Sequence, residues 1–106
     1  MIQAELFVRS DGTILGFRLT GHAETAEYGQ DTLCAFVSSA AYMTANTITE
    51  VIRADACAQA DDGYMYVRVS EQDAPKCREI LAGFQLHLLG TEEQYPEYLK
   101  VINTEV

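Results

Sequence analysis

Ile2-Gln-Ala-Glu-Leu-Phe-Val-Arg9 opens the chain, and Asp11-Gly12 and Ile14-Leu-Gly-Phe-Arg-Leu-Thr20 follow it. Apolar residues at positions 2, 4 and 6, followed by an apolar run, predict a strand over residues 2–9. Asp11-Gly12 is a strong hairpin turn signal, and residues 14–20 supply the return strand. Gly16 interrupts that strand and indicates a β-bulge. The sequence therefore predicts an antiparallel hairpin that ends at Gly21.

A loop and a long helix are predicted next. Residues 22–30 show no apolar periodicity and predict a loop with a hinge at Gly29. Asp31 is a good N-cap, and the helix is expected to run to about Arg53. Its predicted core face consists of Leu33, Val37, Ala40, Ala41, Ile48, Val51 and Ile52. The adjoining line of small residues, which permits close approach of another backbone, consists of Cys34, Ser38, Ala41 and Ala45.

The second half of the chain repeats the strand, strand, helix order. Residues 55–60 predict a short strand, Asp62-Gly63 a second turn, and residues 64–69 the most regular strand in the chain. Alternation there assigns one face to Tyr64, Tyr66 and Arg68, and the other to Met65, Val67 and Val69.

A second helix and a closing strand complete the pattern. The run 70–73 (Ser-Glu-Gln-Asp) resembles a capping box, and the helix after it is expected to end near Leu89 with Gly90 as its C-terminal cap. The predicted buried stripe of this helix consists of Cys77, Ile80, Leu81, Phe84 and Leu88. Residues 91–96 are then a connection, and residues 98–104 a last strand.

The order β-β-α-β-β-α-β predicts an α+β fold, a mostly antiparallel sheet with two packed helices. The 106 residues suit one domain, spanning 1–106, with no internal linker. The net charge of −9 disfavours nucleic acid as the direct partner, because phosphate binding needs clustered Lys and Arg. Acidity favours a basic partner, or simply keeps the protein in solution.

Cellular location is predicted from what the sequence lacks. No apolar run approaches the roughly 18 residues of a membrane span, and the first residues lack the features of a signal peptide. Three cysteines without a CxxC spacing suit a reducing compartment. We therefore expect a cytoplasmic protein without a membrane partner.

Cys34 stands where a cysteine can become a nucleophile. If Asp31 caps the helix, Cys34 is the third residue of its first turn, where backbone N–H groups lack partners and the helix dipole is positive. Both features favour the thiolate and can lower the pKa of such a cysteine. The same N–H groups can bind the oxyanion that forms when a thiolate attacks a carbonyl carbon.

His22, twelve positions before Cys34, is the candidate partner. An imidazole there can take the thiol proton and later protonate a leaving amine. His87 is the weaker candidate, because it lies in the middle of the second helix. Asp31 is the nearest residue able to orient His22, although capping alone explains it. Ser38, one turn after Cys34, can hydrogen-bond near the site, help to bind a peptide, or be a neutral helix-surface serine.

Plainer interpretations of these residues remain open. A cysteine in the first turn of an amphipathic helix is often an inert buried side chain. A metal site would need His22, Cys34 and one of Cys57, Cys77 or His87, and no pair among them has a usual ligand spacing. We therefore expect no metal and no cofactor, and expect Cys57 and Cys77 to lie in the core.

Three short runs together resemble the ribosomal-processing cysteine protease family, called Prp. They are Gly21-His22-Ala23, Gly29-Gln30-Asp31 and Cys34-Ala35-Phe36-Val37-Ser38. The family pattern is G-H-A, a short loop, G-x-D and then x-x-C-A-x-V-S, and every position is matched. The similarity extends over nearly the whole chain, including its length, the opening hairpin, both helices and the run 95–98 (Tyr-Pro-Glu-Tyr).

The resemblance implies a catalytic role for His22 and a nucleophilic role for Cys34. It implies a cytoplasmic endopeptidase, a homodimer, that removes a short N-terminal extension from large-subunit ribosomal protein number twenty-seven after a pair of aromatic residues. The 22–30 loop would close over the peptide. We expect substrate binding by Gly21, Gly29, Asp31 and Ser38. A basic ribosomal substrate also fits the charge of −9.

Two other functions remain as alternatives. In a non-catalytic ribosome-assembly or interaction module, Cys34 and His22 merely pack, an acidic face binds a basic protein, and Cys34 is unreactive near neutral pH. In a thiol-redox or thiol-transfer protein, Cys34 reacts with peroxide or disulfides without any dependence on His22.

Overall fold

A computed structural model describes residues 1–21 and 30–106, with the backbone alone at positions 30 and 31. Within these described residues, two helices and five strands form the predicted α+β fold. In chain order they are β1 (Ile2–Val8), β2 (Ile14–Thr20), α1 (Gln30–Asn46), β3 (Ala56–Asp61), β4 (Tyr64–Val69), α2 (Arg78–Gln94) and β5 (Leu99–Glu105). A π-helical segment, Thr47–Ile52, extends α1, and a 3₁₀ turn, Ala74–Cys77, precedes α2.

The strands form one sheet in the order β3-β4-β2-β1-β5. The pairs β1–β2, β2–β4 and β3–β4 are antiparallel. β5 joins β1 in parallel, with Ile2 opposite Leu99 and Val8 opposite Glu105. The prediction of a mostly antiparallel sheet is confirmed, and among the strands that the structure describes β3 and β5 lie at the two edges.

The bulge predicted at Gly16 is present. Phe7 pairs with Gly16 while Val8 pairs with Ile14, so Leu15 is the extra residue on β2. A Cβ at position 16 would lie 2.0 Å from the carbonyl oxygen of Val67 on β4. Only glycine therefore lets these two strands approach each other at the bulge.

Both helices pack on the same face of the sheet. Phe17 of β2 meets Phe84 of α2 with ring centroids 4.6 Å apart, and Leu33 and Val37 bring α1 into the same buried cluster. The alternation predicted for β4 is confirmed, because Met65, Val67 and Val69 are buried and their neighbours are half-buried. The main core side chains are Ile2, Leu6, Leu15, Phe17, Leu19, Ile48, Val67, Leu81, Leu88 and Leu99.

The opposite face of the sheet carries a network of polar and aromatic side chains. Arg18 donates from Nε and Nη2 to Oε1 of Glu5, at 2.9 and 2.6 Å, and the hydroxyl of Thr104 donates to Oε2 of Glu5. The guanidinium groups of Arg18 and Arg68 each lie 5.7 Å from the ring centroid of Phe7. This face is thus covered by its own side chains.

The start of α1 differs from the prediction. The helix begins at Gln30, so Asp31 is its second residue and the prediction of Asp31 as N-cap is wrong. The predicted helix end near Arg53 is confirmed when α1 and the π-helical segment are taken together, because that segment continues to Ile52. Arg53 then takes φ 59° and donates its N–H to the carbonyl of Ile48, which closes the segment.

Both ends of α2 also differ in detail. Gly90 is not a cap, because the helix continues to Gln94, shortly before Pro96. Half of the predicted capping box forms: the Asp73 N–H donates to the Ser70 hydroxyl. The carboxylate of Asp73 instead accepts the N–H of Asp55, at 2.7 Å.

Two residues assigned to the core are exposed. Val51 is 75% exposed, because the π-helical turns contain more residues than α-helical ones and shift its direction. Cys57 is exposed because β3 is an edge strand whose residues are mostly in contact with solvent. Cys77 is fully buried, as predicted.

Candidate active site

Cys34 lies near the start of α1 and is half-buried against the core. It is the fifth residue of the helix. The prediction that Cys34 lies in the first turn is therefore wrong. Cys34 instead follows directly after the first four residues of the helix, the part of any α-helix in which the N–H groups lack helical partners. Its neighbours Leu33 and Val37 are buried and fix the orientation of this part of the helix.

The helical phase separates Cys34 from His87. Phe36 stacks on His87 of α2 with ring centroids 4.8 Å apart. At about 100° per residue, Phe36 points about 200° away from Cys34. Cys34 is therefore on the flank of α1 away from α2, which argues against His87 as its proton acceptor.

The predicted line of small residues continues on the flank that carries Cys34. At about 100° per residue, Ser38 and Ala45 lie within about 40° of the Cys34 direction. Ser38 is half-buried, whereas Ala41 and Ala45 are buried. This flank faces β3, since Ala45 lines a groove together with Ala58.

Gly21 ends β2 with φ 76°, and a Cβ there would lie 2.5 Å from the carbonyl oxygen of Met1. Its N–H donates to the carbonyl of Gly63 in the β3–β4 turn, at 3.2 Å. Backbone geometry alone thus requires glycine at this position, directly before His22.

Several predicted site residues have no side-chain geometry to compare. His22 and Gly29 lie outside the described residues. Asp31 is in the first turn of α1, described by its backbone alone. The pairing of His22 with Cys34, and the binding roles of Gly21, Gly29, Asp31 and Ser38, stay predictions.

A cleft of about 270 Å³ opens between the start of α1 and the end of α2. It is lined by Thr32, Leu33, Phe36, Gln94 and Tyr95. Phe36 is 51% exposed and Tyr95 46%, and the sequence-based assignment named neither as a site residue. The sequence did contain a signal for Phe36: it falls outside the Leu33–Val37 stripe, so its large aromatic side chain has to face away from the core.

The other two thiols differ from Cys34 in their surroundings. Burial, reinforced by the nearby carboxylate of Asp73, raises the pKa of Cys77 and keeps that thiol protonated. Cys57 lies on the solvent-exposed edge strand. Cys77 directly precedes α2 but is fully buried, so of the three Cys34 alone combines a position near a helix start with partial exposure.

Two further kinds of site are absent from the described part of the chain. Within residues 1–21 and 30–106, no three His, Cys, Asp or Glu side chains are grouped so as to hold a metal ion. Within the same residues, no helix is long and apolar enough to cross a lipid bilayer.

Comparison with known proteins supplies the family. Residues 1–100 match the family model described as cysteine protease Prp. The ribosomal processing cysteine protease Prp of Bacillus subtilis is 32% identical over 107 residues, which is 95% of this chain and 96% of that protein. A Streptococcus mutans protein of known structure is 28% identical, with a TM-score of 0.86 over 100% of this chain and 99% of that one.

A crystal structure of the Staphylococcus aureus ribosomal processing protease Prp, in complex with a substrate peptide, has the same fold. Its TM-score is 0.88 at 24% identity, covering 98% of this chain and 100% of that one. The family match, the similarity over the full length and the cysteine near the start of α1 agree. The chain belongs to the cysteine protease Prp family and is a cysteine protease.

Proposed function

We propose that this protein processes a ribosomal protein, cutting an N-terminal extension from large-subunit ribosomal protein number twenty-seven with Cys34 as nucleophile and His22 as base. The observation that carries the proposal is the position of Cys34: near the start of α1, half-buried, and on the flank away from α2. Membership of the protease family supports it. The ribosomal processing named for the relatives suggests the substrate.

The proposed reaction follows from these positions. His22 takes the proton of Cys34, and the sulfur attacks the carbonyl carbon of the scissile peptide bond. The oxyanion accepts hydrogen bonds from N–H groups in the first turn of α1, which lack helical partners. His22 then gives its proton to the leaving amine, and water releases the second product from the thioester.

Two properties of the molecule favour a basic peptide with aromatic residues. The net charge of −9 attracts a basic polypeptide. The cleft between α1 and α2 offers the exposed rings of Phe36 and Tyr95, on the flank of α1 opposite to Cys34, where an aromatic substrate side chain distant from the scissile bond packs well. In this proposal the protein acts in the cytoplasm, where thiols stay reduced. The homodimer implied by the family resemblance stays a prediction.

The test is cleavage of a peptide that copies the N-terminus of the same cell's ribosomal protein, with products identified by mass spectrometry. We expect one cut by the wild-type protein, and none by Cys34→Ser or His22→Ala, because each lacks one partner of the reaction. Cys77→Ala is the matched control: it removes a thiol that is buried in the core, and should cleave at the same rate once folding is verified.

Each other outcome identifies a different function. Undiminished cleavage by both Cys34→Ser and His22→Ala would overturn the assignment. A folded wild-type protein that cuts nothing, and whose Cys34 is inert to iodoacetamide, would be an interaction module. Reactivity of Cys34 that persists in His22→Ala, again without cleavage, would indicate thiol-redox chemistry.

A further inference from the structure

The outer edge of β3 is a candidate binding surface. Among the strands that the structure describes, β3 pairs with β4 alone. The Ser70 N–H donates to the carbonyl of Asp55, at 2.9 Å. Asp55 and every second residue after it therefore direct their backbone N–H and C=O groups towards β4. Ala56, Ala58 and Ala60 therefore direct their N–H and C=O groups outward. Such an edge is a template for an added strand.

A groove runs beside this edge, between β3 and α1. Its volume is about 140 Å³. Its walls are formed by Tyr42, Ala45, Asn46, Thr49, Ala58, Gln59, Ala60, Met65 and Val67. Because the inward-facing side chains of β3 are only methyl groups, there is room beneath Tyr42 for a side chain from a neighbouring strand. Tyr42 is itself 48% exposed, so such a side chain would cover it.

The edge and the groove lead towards the nucleophile. Ala45 in the groove and Cys34 share one flank of α1, as the helical phase shows. β3 ends at Asp61, beside the turn in which Gly63 accepts the N–H of Gly21. The residue after Gly21 is His22. A peptide lying along the outer edge of β3 therefore reaches the end of the sheet at which Gly21 lies, and His22 is the next residue in the chain.

The charge around β3 identifies the partner. Asp55 stands before the strand, and Asp61 and Asp62 stand at its far end, all exposed. A second copy, paired antiparallel across a two-fold axis, would bring Asp61 and Asp62 towards the other copy's Asp55. Like charges on facing strands destabilise the pairing. A positively charged extended segment meets no such repulsion.

We propose that the outer edge of β3 binds an extended, positively charged segment of the polypeptide substrate as a sixth strand of the sheet. An apolar side chain of this segment fills the groove beneath Tyr42, and basic side chains lie near Asp61 and Asp62. This inference rests on the proposed function, because the segment is the part of the substrate next to the cut.

The first test uses proline to remove one outward N–H. Ala58→Pro deletes the central edge donor but leaves the hydrogen bonds between β3 and β4 in place, as edge strands allow. The matched control is Asn103→Pro on the opposite edge. The Val101 N–H donates to Glu92, away from β1, so the N–H of Asn103 also points outward. Thermal unfolding verifies that both variants fold.

The readout is the cleavage of the ribosomal peptide by each variant. We expect Ala58→Pro to raise KM about tenfold with little change in kcat, since a lost edge hydrogen bond weakens binding and not the chemical step. Asn103→Pro should match the wild type. Equal KM values for Ala58→Pro and the wild type, with Cys34→Ser inactive, would overturn the edge proposal and leave the protease assignment standing. Cleavage by Cys34→Ser would overturn the protease assignment itself.

A second measurement needs no substitution in β3. In the Cys34→Ser protein saturated with the same peptide, the amides of Ala56, Ala58 and Ala60 should exchange with solvent at least about tenfold more slowly than in the unbound protein. The amide of Asn103 should exchange at the same rate in both states. Unchanged exchange at the three alanines would contradict the proposal. Edge protection that depends on protein concentration without peptide would show that a second copy occupies β3 instead.

Discussion

Cys34 and Phe36 are two positions apart and face different flanks of α1. Phe36 contacts His87 on α2, whereas Cys34 shares its flank with Ser38 and Ala45. The spacing of twelve positions from His22 to Cys34 does not tell which way the thiol points. The direction of Cys34 on the helix, together with the contact between Phe36 and His87, argues against His87 as the partner of the thiol.

Glu5 provides a test of electrostatics at a single residue. The hydrogen bond from Thr104, with those from Arg18, lowers the pKa of Glu5 in the folded state. The unfolded chain therefore binds this proton more readily, and Glu5 stabilises the fold above about pH 4.5. That contribution is lost as the pH falls through the lowered pKa.

We expect Glu5→Gln to lower the free energy of unfolding by about 1 kcal/mol at pH 7, a value reduced for the partial exposure of the pair. The difference from the wild type should shrink as the pH falls from 5 to 3. Chemical denaturation at several pH values measures this. Glu93→Gln, at an exposed position of α2, is the control. A difference that stays constant over this pH range would show that the charge of Glu5 is not the cause.

At the scale of elements, the end of α2 makes a direct prediction. Gly83 and Gly90 both lie inside the helix, and a Cβ at either position meets nothing within 4 Å. Alanine in a helix interior is more favourable than glycine by about 0.5–1 kcal/mol. Gly83→Ala and Gly90→Ala should each raise the free energy of unfolding by about that amount, as measured by denaturant titration.

Gly90 is the informative variant of the two. If it ended the helix with positive φ, as the sequence had suggested, alanine there would destabilise the protein. Stabilisation by Gly83→Ala together with destabilisation by Gly90→Ala would therefore contradict the observed helix end. The sequence signal misled because a glycine caps a helix only where the chain turns into the left-handed region. Here the helix continues for another turn and ends two residues before Pro96.

The start of α1 shows a similar limit. Asp31 has the chemistry of an N-cap, but so does any Asp in the first turn of a helix. An N-cap at Asp31 places the first helical residue at Thr32, whereas α1 begins two residues earlier, at Gln30. That difference moves Cys34 from the first turn to the start of the second. Local sequence signals locate such ends only to within a few residues, so they could not fix the place of Cys34 within the helix.

At the scale of the whole molecule, the sequence predicted most of the fold. Period-two alternation and two Asp-Gly turns located both hairpins, and β2 and β4 have the predicted bounds of 14–20 and 64–69. The parallel pairing of β5 with β1 was not predicted, because it joins the two ends of the chain and no local pattern encodes it. Edge position is likewise a property of the sheet order, which is why Cys57 was wrongly assigned to the core.

The candidate site was predictable to a smaller extent. Cys34 could be named from its place near a helix start, and the family resemblance added His22. The cleft beside Phe36 and Tyr95, and the groove beside β3, are formed by elements far apart in sequence. Only the packed structure brings them next to the helix that carries Cys34.

The proposed activation of Cys34 by His22 can be measured by alkylation kinetics. The rate of reaction with iodoacetamide is measured at neutral pH for each cysteine by peptide mapping, in the wild type and in His22→Ala. Cys57 is exposed and serves as the internal reference, while Cys77 is buried and should not react. We predict that Cys34 reacts faster than Cys57 in the wild type and loses that advantage in His22→Ala. A Cys34 that reacts no faster than Cys57 in the wild type would contradict the proposal that His22 activates Cys34.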